Sequence, residues 1–182
     1  MMMSSPNEWD SLMRALVAVV LPHLRAQADA GAHALQLFDS WIGALAPDDY
    51  ERAVLPHTRS IAEGLAGLDA PLIHFGVGTG ELLPSMARAG GDVIGIDWRT
   101  PLDDGWDRVG GPGARAVQGN LDPATLLASW ATVERAATRI IDRAGARDGH
   151  VFNLGHGVLP GTDPAIARRL VDLVHERTER TR

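Results

Sequence analysis

Cysteine is absent from this 182-residue chain. Its absence excludes disulfides, thiolate metal sites and a cysteine nucleophile, and is compatible with a reducing cytoplasm. Positive charge is also scarce, because 17 lysine and arginine residues face 23 aspartate and glutamate residues, a formal net charge of -6. This balance provides no basic stripe, so we expect no nucleic-acid partner, and an anionic substrate would need locally placed cations.

The sequence also has no long hydrophobic run. The best candidate, 12–24, is interrupted by Arg14 and Pro22 and is too short to span a bilayer. The first residues lack the basic segment of a signal peptide. With 45% hydrophobic and 22% charged residues, we expect one cytoplasmic globular domain over residues 1–182, without a membrane partner.

Apolar strand-like segments alternate with amphipathic helices along the chain. Connections between the strands are too long for hairpins, which favours parallel strands joined by right-handed crossovers and therefore the α/β class. The predicted strands are His33–Phe38, Pro71–Phe75, Asp92–Ile96, Ala114–Gln118 and Val151–Leu154.

Several helix starts carry local signals. Ser5 and Glu8 have the spacing of a capping box, and Pro56 predicts a kink within the second long helix. An aspartate followed by proline opens two further helices, since the carboxylate caps free amides and the proline presets φ. The predicted spans are Pro6–Gly31, Pro47–Leu68, a short helix ending at Gly90, Asp122–Ala144, and a last helix beginning after Asp163.

Polar residues follow the apolar strands where each strand ends. The segment His150–Pro160 is the clearest case, because its apolar run stops at Asn153 and His156 between glycines. A strand fixes the position of such a side chain, and glycines allow close backbone approach. The same pattern occurs upstream at Asp39–Ser40, Asp97–Arg99 and Gly119–Asn120.

A glycine-rich motif offers a second interpretation. Phe75–Gly80, followed seventeen residues later by Asp97, resembles the cofactor loop of a Rossmann methyltransferase that uses S-adenosylmethionine. Against it, His74 stands where those enzymes usually carry an acidic residue, and a helix and a strand already precede the motif. A simple strand-to-helix turn, with Asp97 capping locally, explains the same residues.

Five segments in order resemble the C-terminal part of the uroporphyrinogen decarboxylase family, from about Pro6 to Thr178. The block after the last strand, with Pro160 and the Asp163-Pro164 pair, is the most specific. The five segments are Leu35–Ser40, Val54–His57, Gly95–Trp98, Gln118–Pro123 and Asn153–Gly157.

The resemblance implies an α/β fold that is part of a (β/α)₈ TIM barrel, about strands four to eight, without the N-terminal three strands. It implies removal of the four acetate carboxyl groups of uroporphyrinogen III to give coproporphyrinogen III in haem and tetrapyrrole biosynthesis. No metal or organic cofactor is implied. Relatives that bind zinc through histidine and cysteine are disfavoured by the absence of cysteine.

Two residues match substrate-contacting positions of the family. Ser40 matches the position that carries a hydroxyl side chain, and His156 matches the histidine near the C-terminus of the family sequence. The family's catalytic aspartate, its tyrosine and its arginine motif belong to a part that precedes Met1. We therefore expect a fragment, a split product or a mis-started gene model that has little activity alone. Its partners would be uroporphyrinogen III and either a second copy or a complementary N-terminal half; a non-catalytic remnant is the alternative.

The remaining polar residues have open roles at this stage. Arg99 would contact a substrate carboxylate, or pair with Asp97 or Asp103. Asn120 and Asn153 are expected to brace strand ends and turns.

Overall fold

The computed structural model describes residues 1–111, 113–145 and 147–179, and it has the α/β architecture expected from the sequence. The helices within these residues are α1 (Pro6–Asp29), α2 (Pro47–Ala53), α3 (Leu55–Gly64), α4 (Leu83–Ala89), α5 (Leu102–Arg108), α6 (Trp130–Ala144) and α7 (Pro164–Thr178). The strands are β1 (Leu35–Asp39), β2 (Leu72–Gly76), β3 (Val93–Gly95), β4 (Ala116–Leu121) and β5 (His150–Leu154). Short 3₁₀ helices cover Ile42–Ala44, Gly80–Leu82 and Pro123–Leu127.

The five strands lie in one sheet in the order of the chain, β1 to β5. Strands β1 and β2 are parallel, with Leu35 opposite Leu72, and β4 and β5 are parallel, with Val117 opposite His150. The parallel prediction is confirmed. For the strands formed by the described residues, this order has no reversal of the kind that places the cofactor in a doubly wound Rossmann sheet.

Two compact units make up the chain, Met1–Ile94 and Gly95–Arg182. The first has a core in which α1 and α3 pack against β1 and β2, as their spacing of apolar residues predicts. Its buried residues are Leu24, Leu35, Ile61, Leu65 and Leu72.

The long helix predicted over Pro47–Leu68 is wrong, because the chain forms α2 and α3 instead of one kinked helix. Helix α2 ends at Ala53, and Val54, with ψ of -50° and φ of -126°, separates it from α3. Pro56 has no N–H to continue the first helix and favours the start of a new one. The capping box is also wrong, since Ser5 makes no side-chain capping hydrogen bond.

In the second unit, α6 and α7 pack on β4 and β5. The predicted helix Asp122–Ala144 is divided in two, because Ala128 is extended between the 3₁₀ helix and α6. Helix α5 was not predicted from the sequence. The buried residues of this cluster are Leu121, Leu126, Val133, Ala137, Leu170 and Leu173.

Both aspartate–proline signals are confirmed as helix starts. The Asp122 carboxylate accepts from the Ala124 amide at 2.9 Å, and the Asp163 carboxylate accepts from the Ala165 amide at 2.8 Å. These bonds satisfy amides that have no partner inside the helix.

Strand β4 runs further than predicted, to Leu121 instead of Gln118. Polar residues and glycine are weak strand signals, so the sequence placed the end too early. Gly119 has a φ of 138°, and a Cβ there would lie 2.5 Å from the Ile96 carbonyl oxygen. Only glycine allows this backbone approach.

Among the helices formed by the described residues, none combines the length and apolar character needed to cross a membrane.

Candidate functional site

Ser40 and His156 each follow the carboxyl end of a strand. Ser40 comes directly after Asp39, the last residue of β1, and is half-buried in the first unit. His156 lies two residues beyond Leu154, the end of β5, and is exposed in the second unit. Carboxyl ends of parallel strands are where α/β barrels build their active sites.

Exposed aromatic residues flank Ser40 in sequence. Phe38 is 66% exposed and Trp41 is 89% exposed. The Phe38 ring meets Phe75 edge-on, with centroids 6.1 Å apart. Such exposure of large apolar rings around one hydroxyl is typical of a ligand-facing or partner-facing surface.

A buried histidine contacts Asp39, the residue before Ser40. His74, which is completely buried, has its Nε2 3.3 Å from a carboxylate oxygen of Asp39. This burial and the contact with Asp39 make His74 a structural residue. Tyr50, in the helical segment predicted from the sequence, is also completely buried. Burial, followed by the negative charge of Asp39, raises the pKa of Tyr50 well above its usual value.

The second unit contains a group of side chains that we call the Trp98 cluster: Asp97, Trp98, Arg99, Asn120 and His156. The imidazole of His156 is nearly parallel to the Trp98 indole, with an interplanar angle of 7° and centroids 6.1 Å apart. Trp98 therefore provides a flat surface that orients the exposed imidazole.

Arg99 is held on the same indole. Its guanidinium carbon lies 4.2 Å from the centre of the Trp98 ring, a cation–π contact. The Asp97 carboxylate accepts from the Arg99 backbone amide at 2.9 Å and from its Nη1 at 3.1 Å. The partner of Arg99 is thus Asp97; Asp103 pairs instead with Arg143 at 2.7 Å.

Asn120 fixes the segment after β3. Its Nδ2 donates to the carbonyl oxygens of Asp97 at 2.8 Å and Thr100 at 2.6 Å. Asn120 is 3% exposed, so these bonds form away from water. The bracing role predicted for Asn120 is confirmed. The side-chain oxygen Oδ1 of Asn153 accepts from the Leu154 backbone amide at 2.8 Å, which likewise braces a strand end.

A glycine brings the two segments of the cluster together. A Cβ at Gly155 would lie 2.4 Å from the Trp98 amide nitrogen. This close approach requires glycine, and it places the residue before His156 directly against Trp98. Sequence reasoning had selected Asp97–Arg99 and His156 separately but missed their contact; the signal was that both follow parallel strands.

His150, at the start of β5, ties this strand to β4. Its Nε2 lies 2.7 Å from the Gly119 carbonyl oxygen. Burial lowers the pKa of His150, and the hydrogen bond to Gly119 opposes this effect. The described geometry makes His150 a structural residue.

The glycine-rich segment Gly76–Gly80 is packed against its own unit. A Cβ at Gly43 would lie 2.1 Å from the Val77 carbonyl oxygen, so the loop backbone rests on the preceding 3₁₀ helix. In the second unit, Arg99 occupies the Asp97 carboxylate that a methyltransferase would direct at a ribose. Neither arrangement favours the methyltransferase interpretation.

Over residues 1–111, 113–145 and 147–179, no three histidine, aspartate or glutamate side chains group together as a metal site would require.

Comparison with known families decides between the two interpretations. The family model described as uroporphyrinogen decarboxylase matches residues 1–177. The chain belongs to the uroporphyrinogen decarboxylase family. The family prediction made from the five segments is confirmed, and the methyltransferase alternative is not supported.

Curated members of this family are similar over almost the whole chain. A uroporphyrinogen decarboxylase of Salinispora tropica is 53% identical over 180 residues, which are 99% of this chain and 48% of that protein. One from Thermobifida fusca is 54% identical over 98% of this chain and 49% of its own length. One from Streptomyces coelicolor is 52% identical over 99% of this chain and 50% of its own length. The chain spans about half the length of these relatives.

Proposed function

We propose that this chain is the later part of a (β/α)₈ barrel that decarboxylates the acetate groups of uroporphyrinogen III to give coproporphyrinogen III. The match to the family over residues 1–177 is the observation that carries the proposal. The parallel sheet, with strands in chain order, supports it because a barrel has this order. The proposal treats residues 1–182 as one incomplete barrel domain.

Ser40 and His156 contact the tetrapyrrole in this proposal. Both follow the carboxyl end of a strand, where a barrel presents side chains to its substrate. Ser40 offers a hydroxyl that donates and accepts hydrogen bonds. His156 is exposed and oriented by Trp98, so that it can hold or partly neutralise a carboxylate.

The reaction requires that the protein hold the pyrrole ring of the substrate and stabilise the charge that develops on it. Protonation of a pyrrole carbon makes an iminium-like ring, which accepts the electron pair released when the carbon–carbon bond to CO₂ breaks. A second proton then converts the methylene carbon to a methyl group, and the ring carbon releases the first proton, which restores the pyrrole; the net change is one proton taken up and one CO₂ released. The residues of this chain bind and orient the substrate, and positioning of this kind supplies much of the rate enhancement in enzymes.

The family resemblance assigns the catalytic aspartate of the family to the half of the relatives that this chain does not span. We therefore propose that the isolated chain binds the tetrapyrrole but turns it over slowly, and that turnover needs a complementary half. The haem pathway and a cytoplasmic location follow from the same proposal.

Ligand binding by the purified chain tests the proposal. We expect uroporphyrin III, the stable oxidised form of the substrate, to bind saturably and S-adenosylmethionine not to bind in calorimetric titrations. His156→Gln should weaken porphyrin binding, whereas His175→Gln, at an exposed position of α7, should not. Binding of S-adenosylmethionine alone, or of neither ligand, would contradict the proposal.

A further inference from the structure

We propose that Arg99 and His156, both resting on Trp98, form a binding site for one carboxylate of the tetrapyrrole. The inference rests on the proposed function, since the carboxylate is that of an acetate side chain. It assigns a ligand-binding role to Arg99 and Trp98, which the family resemblance did not match to substrate-contacting positions.

Arg99 is preorganised for this role. Its backbone amide and Nη1 both bond to Asp97, and its guanidinium lies 4.2 Å from the centre of the Trp98 ring. These contacts fix a side chain that otherwise loses considerable conformational freedom when it binds a ligand. The planar guanidinium also matches the geometry of a carboxylate.

The charges of Asp97 and Arg99 are unequally exposed. Asp97 has 1% of its side chain exposed, whereas Arg99 has 54%. A guanidinium carries five N–H groups, and Asp97 accepts from the one on Nη1. An arriving carboxylate therefore meets the positive partner of the pair, while the protein covers the negative partner.

His156 is held beside the same indole. Gly155 touches the Trp98 backbone, and the His156 ring is parallel to Trp98 within 7°. Asn120 fixes the carbonyls on both sides of Trp98 and Arg99 through its bonds to Asp97 and Thr100. The site thus combines two exposed nitrogen-bearing groups on one rigid support.

The position of Arg99 provides a local positive charge in a chain whose net charge is negative. The chain has a formal net charge of -6, so a polyanionic substrate needs local cations to approach it. Arg99 supplies such a cation at the carboxyl end of β3, the edge at which barrel enzymes bind ligands.

Nuclear magnetic resonance of the ¹⁵N-labelled chain tests the site. The Arg99 Nε–H and Trp98 Nε1–H signals are assigned by Arg99→Gln and Trp98→Phe. The probes are pyrrole-3-acetate, its methyl ester and uroporphyrin III. We expect the acetate to shift both signals and the ester to shift neither. Arg99→Gln should raise the Kd for pyrrole-3-acetate about tenfold, because one charge-assisted hydrogen bond is lost.

Matched variants separate binding from folding. Arg135→Gln removes a charge from an exposed position of α6 and should leave the Kd unchanged. The Kd of Arg99→Lys should lie between those of wild type and Arg99→Gln. Lysine keeps the positive charge but lacks the planar guanidinium that binds a carboxylate through two N–H groups. If Arg99→Gln unfolds because the buried Asp97 carboxylate loses the guanidinium, Asp97→Asn with Arg99→Gln removes both charges and serves in its place.

The outcomes distinguish this inference from the proposed function. If uroporphyrin III binds with equal affinity to wild type and Arg99→Gln, without shifting the Arg99 signal, the carboxylate site is overturned and the proposed function stands. If pyrrole-3-acetate shifts both signals but uroporphyrin III does not bind, a carboxylate site at Arg99 stands, but its assignment to a tetrapyrrole and the proposed function both fail. If neither probe binds, both are overturned.

Discussion

At the scale of single residues, Gly155 and Gly157 form a matched pair for testing the Trp98 cluster. A Cβ at Gly155 would lie 2.4 Å from the Trp98 amide nitrogen, whereas a Cβ at Gly157 would meet nothing within 4 Å. Gly155→Ala should lower the free energy of unfolding by about 1–3 kcal/mol, because backbone must move. Gly157→Ala should stay within about 1 kcal/mol of wild type. Urea denaturation measures both, and equal effects would refute the contact.

Tyr50 makes stability depend on alkaline pH. It is the single tyrosine of the chain, so tyrosinate absorbance reports it directly. Burial, followed by the Asp39 charge, raises the pKa of Tyr50 in the folded state, while the unfolded chain releases this proton near its usual pKa of about 10. The unfolded state then binds fewer protons, so stability is complete below about pH 10 and is lost as the pH rises above it.

We expect Tyr50→Phe to reduce the loss of stability between about pH 10 and 11, as measured by urea denaturation at each pH. Native wild type should show little tyrosinate absorbance at 295 nm at pH 10.5, and urea-unfolded wild type should show a large signal. Full ionisation of Tyr50 in the folded protein at that pH would contradict the assigned burial.

Residue types at strand ends could be selected from sequence, but their contacts could not. Asp97, Arg99, Asn120 and His156 all stood out as polar residues following apolar strands. The stacking of His156 on Trp98 depends on how closely Gly155 approaches the backbone, which local sequence does not encode. Placement of Ser40 and His156 against a substrate stays a prediction.

At the scale of elements, helix α7 depends on a cap that α1 lacks. The Asp163 carboxylate accepts from the Ala165 amide, whereas the Ser5 side chain makes no capping bond at α1. Asp163→Ala should therefore cost about 1 kcal/mol of stability. Ser5→Ala should cost less than about 0.5 kcal/mol, as for a surface substitution. Thermal or urea unfolding measures the difference, and the reverse ranking would show that the caps are misassigned.

The connection after β3 depends on Asn120. Asn120→Ala removes the side-chain amide that donates to the buried backbone carbonyls of Asp97 and Thr100. The substitution should lower the free energy of unfolding by about 2–3 kcal/mol. Asn153→Ala is the control, because Asn153 is exposed and bonds only locally to the next amide among the described contacts. Its expected cost is under about 1 kcal/mol. If Asn120→Ala lowers the free energy of unfolding no more than Asn153→Ala does, the bracing role of Asn120 is contradicted.

Element type was more predictable than element length. Five apolar segments indicated five strands, because buried parallel strands read as continuous hydrophobic runs. The boundary of β4 was missed because Gly119 and Asn120 are poor strand residues, and their conformation is set by tertiary contact with Ile96 and Asp97. Helix α5 was missed because its short sequence is rich in aspartate and glycine, which are weak helix formers.

At the scale of the whole molecule, the central claim is that the chain supplies the substrate-contacting side chains of a tetrapyrrole-binding barrel. The family could be identified from five short segments in order, which the match over residues 1–177 confirmed. Composition alone did not distinguish this family from a Rossmann methyltransferase, because both classes alternate helices and parallel strands. The order of the five segments separated the two classes at the level of sequence, and the family match over residues 1–177 decided between them.

The most direct measurement is the activity of a chimera in which this chain replaces the matching half of the Salinispora tropica relative, which is 53% identical to it. Anaerobic assays with uroporphyrinogen III should show coproporphyrinogen formation. Ser40→Ala and His156→Gln should each lower kcat/KM by about tenfold or more, since each removes a proposed substrate contact. His175→Gln should have no effect. A folded chimera that forms no coproporphyrinogen, or one whose activity is unchanged by both Ser40→Ala and His156→Gln, would contradict the account.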